Sequence, residues 1–441
     1  MLKRLYARWM YAWETRLTTR DQNRIVRPLE WGFDWLAPYL QRIGLSDEAM
    51  RVEAGLARAD ASAQAQAKAL MMAVNQAILA DSEGFFAYRK PTDFYLERRA
   101  PQLFPTNVRP ETLRRARRME QDAAAGKVPA AEFLRFTSPV ATPYTENDHV
   151  NARWFPAEPG PGQPRQAMIV MPQWNADALS HNALCRIFNR FGVSALRLSK
   201  PFHDIRRPAE LERADYAVSA NIGRTLAATQ QAVIDIRCCL DWLEQQGFEQ
   251  FGVLGTSLGS CYAFLASAHD ARLRVNAFNH ASAAFGDVVW TGQSTRHIRQ
   301  GLEDAGLTQT DLRHLWAGIS PMHYYEKFAS YSRNPAADGE TVHGWFKRVL
   351  LVYARYDLTF PLEYSLEVLR SFDEHGIEFE RRELPCGHYT TGETPFQYMD
   401  GWFLGSFVYR AFRALATESR SKPPSRADES PLTLHDETKS A

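Results

Sequence analysis

The stretch FGVLGTSLGS (251–260) is an apolar run that stops at a G-x-S-x-G pattern, and Cys261-Tyr262-Ala263-Phe264 follow it. A short apolar run bounded by turn residues reads as a strand buried on both faces. The small residues after it suit a helix start, so Gly255 and Gly259 mark a sharp strand-to-helix turn, where a missing Cβ permits close backbone approach. Ser257 is then presented at the edge of a sheet, at the positive end of a helix. A glycine-rich structural turn with a capping serine shares the local pattern. Context has to choose between them.

Working outward, AMIVM (167–171), VSALRLS (193–199), NAFNH (276–280), RVLLVYA (348–354) and FERREL (379–384) read as further strands. Helical patterns separate most of them, notably Ile222 to Gln245 with Val233, Ile236, Leu240, Trp242 and Leu243. Upstream, FLRFTSPVA and VNARWF read as an antiparallel pair turning through Glu146-Asn147-Asp148. Strands alternating with helices predict β-α-β units, hence an α/β fold with a doubly wound, mostly parallel sheet over 131–415.

A serine hydroxyl is a weak nucleophile near neutral pH and needs a base, and the base needs an orienting carboxylate. On such a sheet these follow in the order serine, acid, histidine. Strand 348–354 runs into Arg355-Tyr356-Asp357, and strand 379–384 into Pro385-Cys386-Gly387-His388, so both residues fall on loops after strands. Asp357 also suits a cap for a helix over 361–374, whereas Asp373 falls inside that helix. The expected triad is Ser257, Asp357 and His388. An oxyanion needs two N–H donors. Leu258 supplies one, and Trp174 in Pro172-Gln173-Trp174-Asn175 is chosen for the other, because proline has no N–H. Gln173, His203 and His280 lie on loops at the same edge as candidate pocket residues, although a hydrogen-bonded structural role suits a lone histidine better.

GTSLG, YARYDLTFP and CGHYTT, in that order, resemble the α/β-hydrolase superfamily over about 131–415. The resemblance implies serine-dependent cleavage of esters, thioesters or amides without a metal or organic cofactor. MPQWN departs from the superfamily's usual His-Gly pair, which leaves the second oxyanion donor open. More distantly, FTSPVA, SKPFHDIRRP and the helical N-terminal extension resemble the α/β-hydrolase domain-containing protein 18 family, which implies an acyl-ester, lipid-like substrate. A peptidase, an acyltransferase and a non-catalytic binding module on the same fold are the competing readings.

The rest of the chain frames this core. Residues 1–130 read as a helical extension and a connecting arm. The arm, over 81–130, has one short helix whose Arg114, Arg115, Arg117 and Arg118 suit a solvated face. Leu2, Leu5, Tyr6, Trp9, Met10, Trp13 and Leu17 form an apolar stripe interleaved with Lys3, Arg4, Arg8 and Arg16. It suits packing on the core or peripheral contact of residues 1–20 with an anionic membrane. Ala61 to Ala80 reads as a helix exposed on one face. The long segment 281–347 suggests a helical cap at about 285–320, with Trp290, His297, Leu302, Leu312, Leu315 and Trp316 lining an acyl pocket or filling the cap itself. Residues 416–441 read as a disordered tail.

The 441 residues carry 52 Lys+Arg against 51 Asp+Glu, a net +1 that argues against a general nucleic-acid binder. Five cysteines without C-x-x-C spacing indicate neither a disulfide framework nor a zinc site. The absence of an apolar run of membrane-spanning length, with Arg8 and Trp9 where a signal peptide needs an apolar core, predicts a cytoplasmic protein.

Overall fold

The computed structural model describes residues 2–107, 109–331 and 346–421. One sheet organises the chain: β1 (Tyr95–Arg99), β2 (Ala131–Thr137), β3 (His149–Phe155), β4 (Gln166–Met171), β5 (Val193–Leu198), β6 (Gln250–Thr256), β7 (Leu273–Asn279), β8 (Arg348–Ala354) and β9 (Glu380–Leu384). Their spatial order is β1-β2-β3-β5-β4-β6-β7-β8-β9. From β5 to β9 the neighbours are parallel, while β1, β2 and β3 run antiparallel at one side. This is the α/β-hydrolase fold expected above, with a helical N-terminal extension and a helical cap insertion. The chain leaves β4 for β5 on one side and then crosses to β6 on the other. The crevice at the carboxyl ends of β4 and β6 is therefore the switch point where such sheets form sites.

Period-two alternation assigns side chains to two cores. Ile169, Val253, Phe278 and Leu351 face the long helix Ile222–Gln245 and the helix Leu258–Ala268. Met168, Val170, Leu254, Ala277 and Val352 face the helices Asn182–Arg190 and Phe396–Ser421, whose Phe188, Leu404, Val408 and Phe412 complete that layer. Each of these side chains larger than alanine contributes about 1.5–3 kcal/mol on burial. Both faces are covered, which is why β4 and β6 read as continuous apolar runs.

The N-terminal extension adds a layer outside Ile222–Gln245 and makes that helix buried along most of its length. Ile222 N–H donates to the Glu30 carbonyl at 2.9 Å and Gly223 N–H to Trp31 at 2.9 Å. The helix Ala63–Ala80 is exposed on one face and buries Ala67, Leu70, Met71, Val74 and Ile78 on the other. Asn75 on that buried face ties the cap down, donating to the Leu315 carbonyl at 2.7 Å and accepting from Gly318 N–H at 2.9 Å.

Two expectations change, and the cap side chains take one of the two roles expected of them. The arm contains β1, which among the described residues pairs only with β2 and carries three charged residues of five, so its edge position rather than its own pattern makes it a strand. Its helix, Pro110–Ala124, does leave Arg114, Arg115, Arg117 and Arg118 exposed. The expected tail begins too early at 416, because the last helix runs through Ser421. Leu415 and Ala416 are buried, and Glu418 pairs with Arg274 at 3.1 Å and with Arg348. Residues 422–441 of that tail lie outside the described residues. In the cap, Leu302, Leu312, Leu315 and Trp316 are buried, and Trp316 packs edge-on to Phe285 at 5.5 Å while donating to the Ile222 carbonyl at 3.3 Å. These side chains fill the cap and its seam with the N-terminal layer. The five cysteines are unpaired, and no helix among the described residues is long and apolar enough to cross a membrane.

Candidate active site

β6 ends at Thr256, and Ser257 bridges to the helix Leu258–Ala268 with φ 58° and ψ −122°. A left-handed φ costs a non-glycine residue energy and persists only where the surroundings enforce it. Here the enforcement is visible. Ser257 N–H donates to the Asn279 carbonyl at 2.8 Å, and Ser260 Oγ donates to the Ser257 carbonyl at 2.6 Å. The flanking glycines are obligatory, since a Cβ on Gly255 would lie 2.1 Å from the Gly259 carbonyl oxygen and one on Gly259 2.2 Å from that of Met171. The turn is clamped between β4 and its own helix.

Three carboxyl-end loops converge there. His388 Nε2 lies 2.9 Å from Ser257 Oγ, and His388 Nδ1 lies 2.8 Å from Asp357 Oδ2. The other oxygen, Asp357 Oδ1, accepts the Thr359 and Phe360 N–H groups at 2.7 and 2.6 Å. Asp357 is therefore fixed by its own loop. It caps no helix, because Pro361 stands at the cap of Leu362–Glu374 without a side-chain bond, and Asp373 is exposed inside that helix. The imidazole of His388 is stacked on Phe360 at 5.1 Å.

Burial alone would raise the Asp357 carboxyl, but His388 and His280 overcome it and hold the group well below the usual carboxylate range. Burial would lower His388, and the Asp357 charge and hydrogen bond reverse this, lifting its pKa above 6.5. Asn279, whose carbonyl holds the serine N–H, donates its side chain to Asp400 at 3.0 Å; burial pushes that carboxyl up to about 7.

His280 lies in the same cluster. Its Nδ1 is 3.5 Å from Asp357 Oδ2 and its ring is 4.6 Å from that of His388, yet neither ring nitrogen has a hydrogen-bond partner among the described residues. Burial lowers its pKa. The donor atoms of His280, Asp357 and His388 fall within 4.8 Å of one another, a convergence that could hold a cation. The His388–Asp357 and His388–Ser257 hydrogen bonds already use most of those atoms.

His203 does not present a free nitrogen. Its Nε2 accepts from Asn175 N–H at 3.1 Å and its Nδ1 lies 2.8 Å from the Pro201 carbonyl, so it shapes the loop after β4. In that loop Pro172 has no N–H, Asn175 N–H is taken by His203, and Ala176 N–H is taken by the Gln173 carbonyl. Gln173 and Trp174 N–H groups donate to nothing among the described residues. Leu258, as first residue of its helix, has no intrahelical acceptor either. The Gln173 carbonyl also accepts from the buried Lys200 Nζ at 3.0 Å, while the Gln173 Oε1 is buried without a partner among the described residues. Trp174 is held by its indole N–H on the Ala214 carbonyl at 2.9 Å and lies parallel to His297 of the cap at 6.1 Å.

Two contacts escaped the sequence reading. His181 Nε2 meets Thr256 Oγ1 at 2.9 Å, directly before Ser257. Glu14, from the N-terminal helix, accepts from Tyr389 N–H at 2.8 Å, one residue after His388. A glutamate at i+4 from Met10 on an apolar stripe was the available signal for the second.

The topology is that of the α/β-hydrolase fold, and a hydrogen-bonded Ser-His-Asp arrangement lies at its switch point. No family model matches the chain, and no curated protein matches it in sequence. Among solved structures, an acetyl xylan esterase from Paenibacillus sp. R4 is 11% identical with a TM-score of 0.49, covering 75% of this chain and 92% of the other. The Pyrococcus horikoshii acylaminoacyl peptidase is 13% identical with a TM-score of 0.45, covering 64% of this chain and 46% of the other. A carboxyl esterase from Bacillus coagulans is 13% identical with a TM-score of 0.42, covering 64% and 98%. Similarity at this level leaves the fold resting on its own topology.

Proposed function

We propose that the protein is a serine hydrolase that cleaves an acyl ester of carboxylesterase or lipase type. The observation that carries this is the continuous hydrogen-bonded path from Ser257 Oγ through His388 to Asp357, with the serine held in a strained turn. His388 Nε2 takes the hydroxyl proton as Ser257 attacks the acyl carbonyl. Asp357 keeps Nδ1 protonated and stabilises the imidazolium. The oxyanion forms beside the Leu258 N–H and an N–H of the Gln173-Trp174 pair, with Trp174 as the assigned donor. His388 then protonates the departing alkoxide. Water, deprotonated by His388, releases the acid from the acyl-enzyme. Every proton is accounted for by these residues, so the reaction as written calls on no cofactor.

An ester substrate with lipid-like acyl chains is the reading that the more distant resemblance to the α/β-hydrolase domain-containing protein 18 family favours. The exposed side of the N-terminal helix supports it. Leu2, Leu5 and Trp9 are 83%, 51% and 52% exposed, beside exposed Lys3, Arg4 and Arg8. An apolar face flanked by cations suits an anionic lipid surface.

A fluorophosphonate probe should label the wild type and leave Ser257→Ala unlabelled; labelling retained in the variant overturns the nucleophile assignment, and no labelling of the wild type favours a binding module. A chromogenic ester series of increasing acyl length, set against aminoacyl amides, separates esterase from peptidase. Running it with phosphatidylserine vesicles tests the surface: co-sedimentation lost in Leu5→Glu/Trp9→Glu supports it, and vesicles without effect on binding or rate discard it.

A further inference from the structure

The helix Leu2–Thr18 stands outside the sheet, yet its inner face reaches the loop that carries His388. Tyr6, Met10, Glu14 and Thr18 recur every four residues and so share one face. Tyr6 Oη donates to the Pro385 carbonyl, Thr390 Oγ1 lies 3.6 Å from Met10 Sδ, and Thr18 Oγ1 donates to Gln293 Oε1 of the cap at 2.6 Å. Between them Glu14 is wholly buried. Its Oε1 accepts Tyr389 N–H at 2.8 Å, and its Oε2 accepts Thr390 N–H at 2.9 Å and Thr390 Oγ1–H at 3.0 Å. All three donors belong to the two residues that follow His388. Glu14 makes no salt bridge among the described residues.

A buried carboxylate without a cation carries a desolvation penalty of several kcal/mol, which only well-placed hydrogen bonds offset. Here every donor comes from a single turn, so the carboxylate and the turn fix one another. The fit leaves no slack, because a Cβ on Gly387 would lie 2.4 Å from Glu14 Oε2. This accounts for glycine immediately before the histidine.

We propose that Glu14 is a positioning residue for His388: its carboxylate pins the 387–390 turn so that the imidazole stays between Asp357 and Ser257. The N-terminal helix is thereby a working part of the site. The groups facing His388 are Asp357 after β8, His280 after β7, Ser257 after β6 and Glu14 from the helix. Glu14 in turn faces Asp357, Cys386 and Tyr389. Burial opposes a charged His388, while Asp357 and then Glu14 favour it. Burial and Asp357 raise Glu14 itself, against the N–H groups of Tyr389 and Thr390.

The kinetic consequence rests on the serine-hydrolase reading, and the test keeps the two apart. In the full chain, Glu14→Gln keeps the shape but replaces one acceptor oxygen with an NH2 that faces a donor, and Glu14→Ala removes the side-chain contacts altogether. The His388 imidazole is titrated by NMR, assigned with His388→Gln, alongside ester turnover. The expected result is a lower His388 midpoint in Glu14→Gln, an acid limb of kcat/KM moved to lower pH, and kcat reduced by about 10–100-fold with KM little changed, the scale of a misplaced reacting group. Glu14→Asp should recover part of the loss. If the Glu14→Gln midpoint and kcat match the wild type in a folded protein, the proposal is overturned. A shifted midpoint in a protein that turns over no ester sustains the proposal and sinks the hydrolase reading instead.

Discussion

Two loops bring an imidazole to the same carboxylate, and they treat it differently. The loop after β9 gives His388 a 2.8 Å hydrogen bond to Asp357, a partner on its other nitrogen and a stacking ring, and its pKa rises. The loop after β7 leaves His280 3.5 Å from the same oxygen with both nitrogens unpartnered, and its pKa falls. Both rings are largely buried, so burial does not distinguish them. Geometry does. A short, directed bond lets the carboxylate outweigh desolvation, and a longer misaligned contact does not. Angle and reach, rather than residue type, thus separate the two imidazoles.

The largest effect is expected at the shared carboxylate. Asp357→Asn should lower kcat by roughly 10⁴-fold, because the amide favours the wrong imidazole tautomer while leaving the geometry in place. Rates within about tenfold of wild type would show that His280 or Glu14 can orient His388 instead, a scale set by one pKa unit of interaction.

A smaller effect is expected from pH. The base must be neutral to act, and the His388 pKa is raised, so kcat/KM should fall with acid at a midpoint above pH 6.5. Since Asp357 is the largest cause opposing burial, the same profile in Asp357→Asn should move to lower pH. A limb at or below the ordinary histidine value in the wild type would deny the charged coupling.

His280→Asn should matter least. Asparagine tolerates the left-handed φ of 55° at this position. The expected loss in kcat is less than about tenfold, since even a formed hydrogen bond contributes only about 0.5–1.5 kcal/mol net. A loss as large as that of Asp357→Asn would make His280 a fourth working member of the site and erase the distinction between the loops.

How far the sequence carries differs by element. β4 and β6 are legible because burial on both faces leaves uninterrupted apolar runs, and the serine turn is legible because only glycine fits beside Gly259 and Met171. Edge strand β1 is not, since YLERR pairs on one side only and owes its form to β2. The cap aromatics were ambiguous because composition cannot tell a pocket wall from a filled seam, and Asn75 and Ile222, which close that seam, are far away in the chain.

Local order was written in the residues themselves: the strand-turn-helix around Ser257, and the succession of serine, acid and histidine on loops after strands. These depend on short-range sterics and on hydrophobic period, which a linear chain displays directly. Which histidine meets Asp357 at bonding angle, which N–H groups of the β4 loop stay free, and that Glu14 lies against Tyr389 and Thr390 were decided only by the tertiary structure. Each depends on where separate elements come to rest in space, and hydrogen bonds between residues hundreds of positions apart leave no period to read.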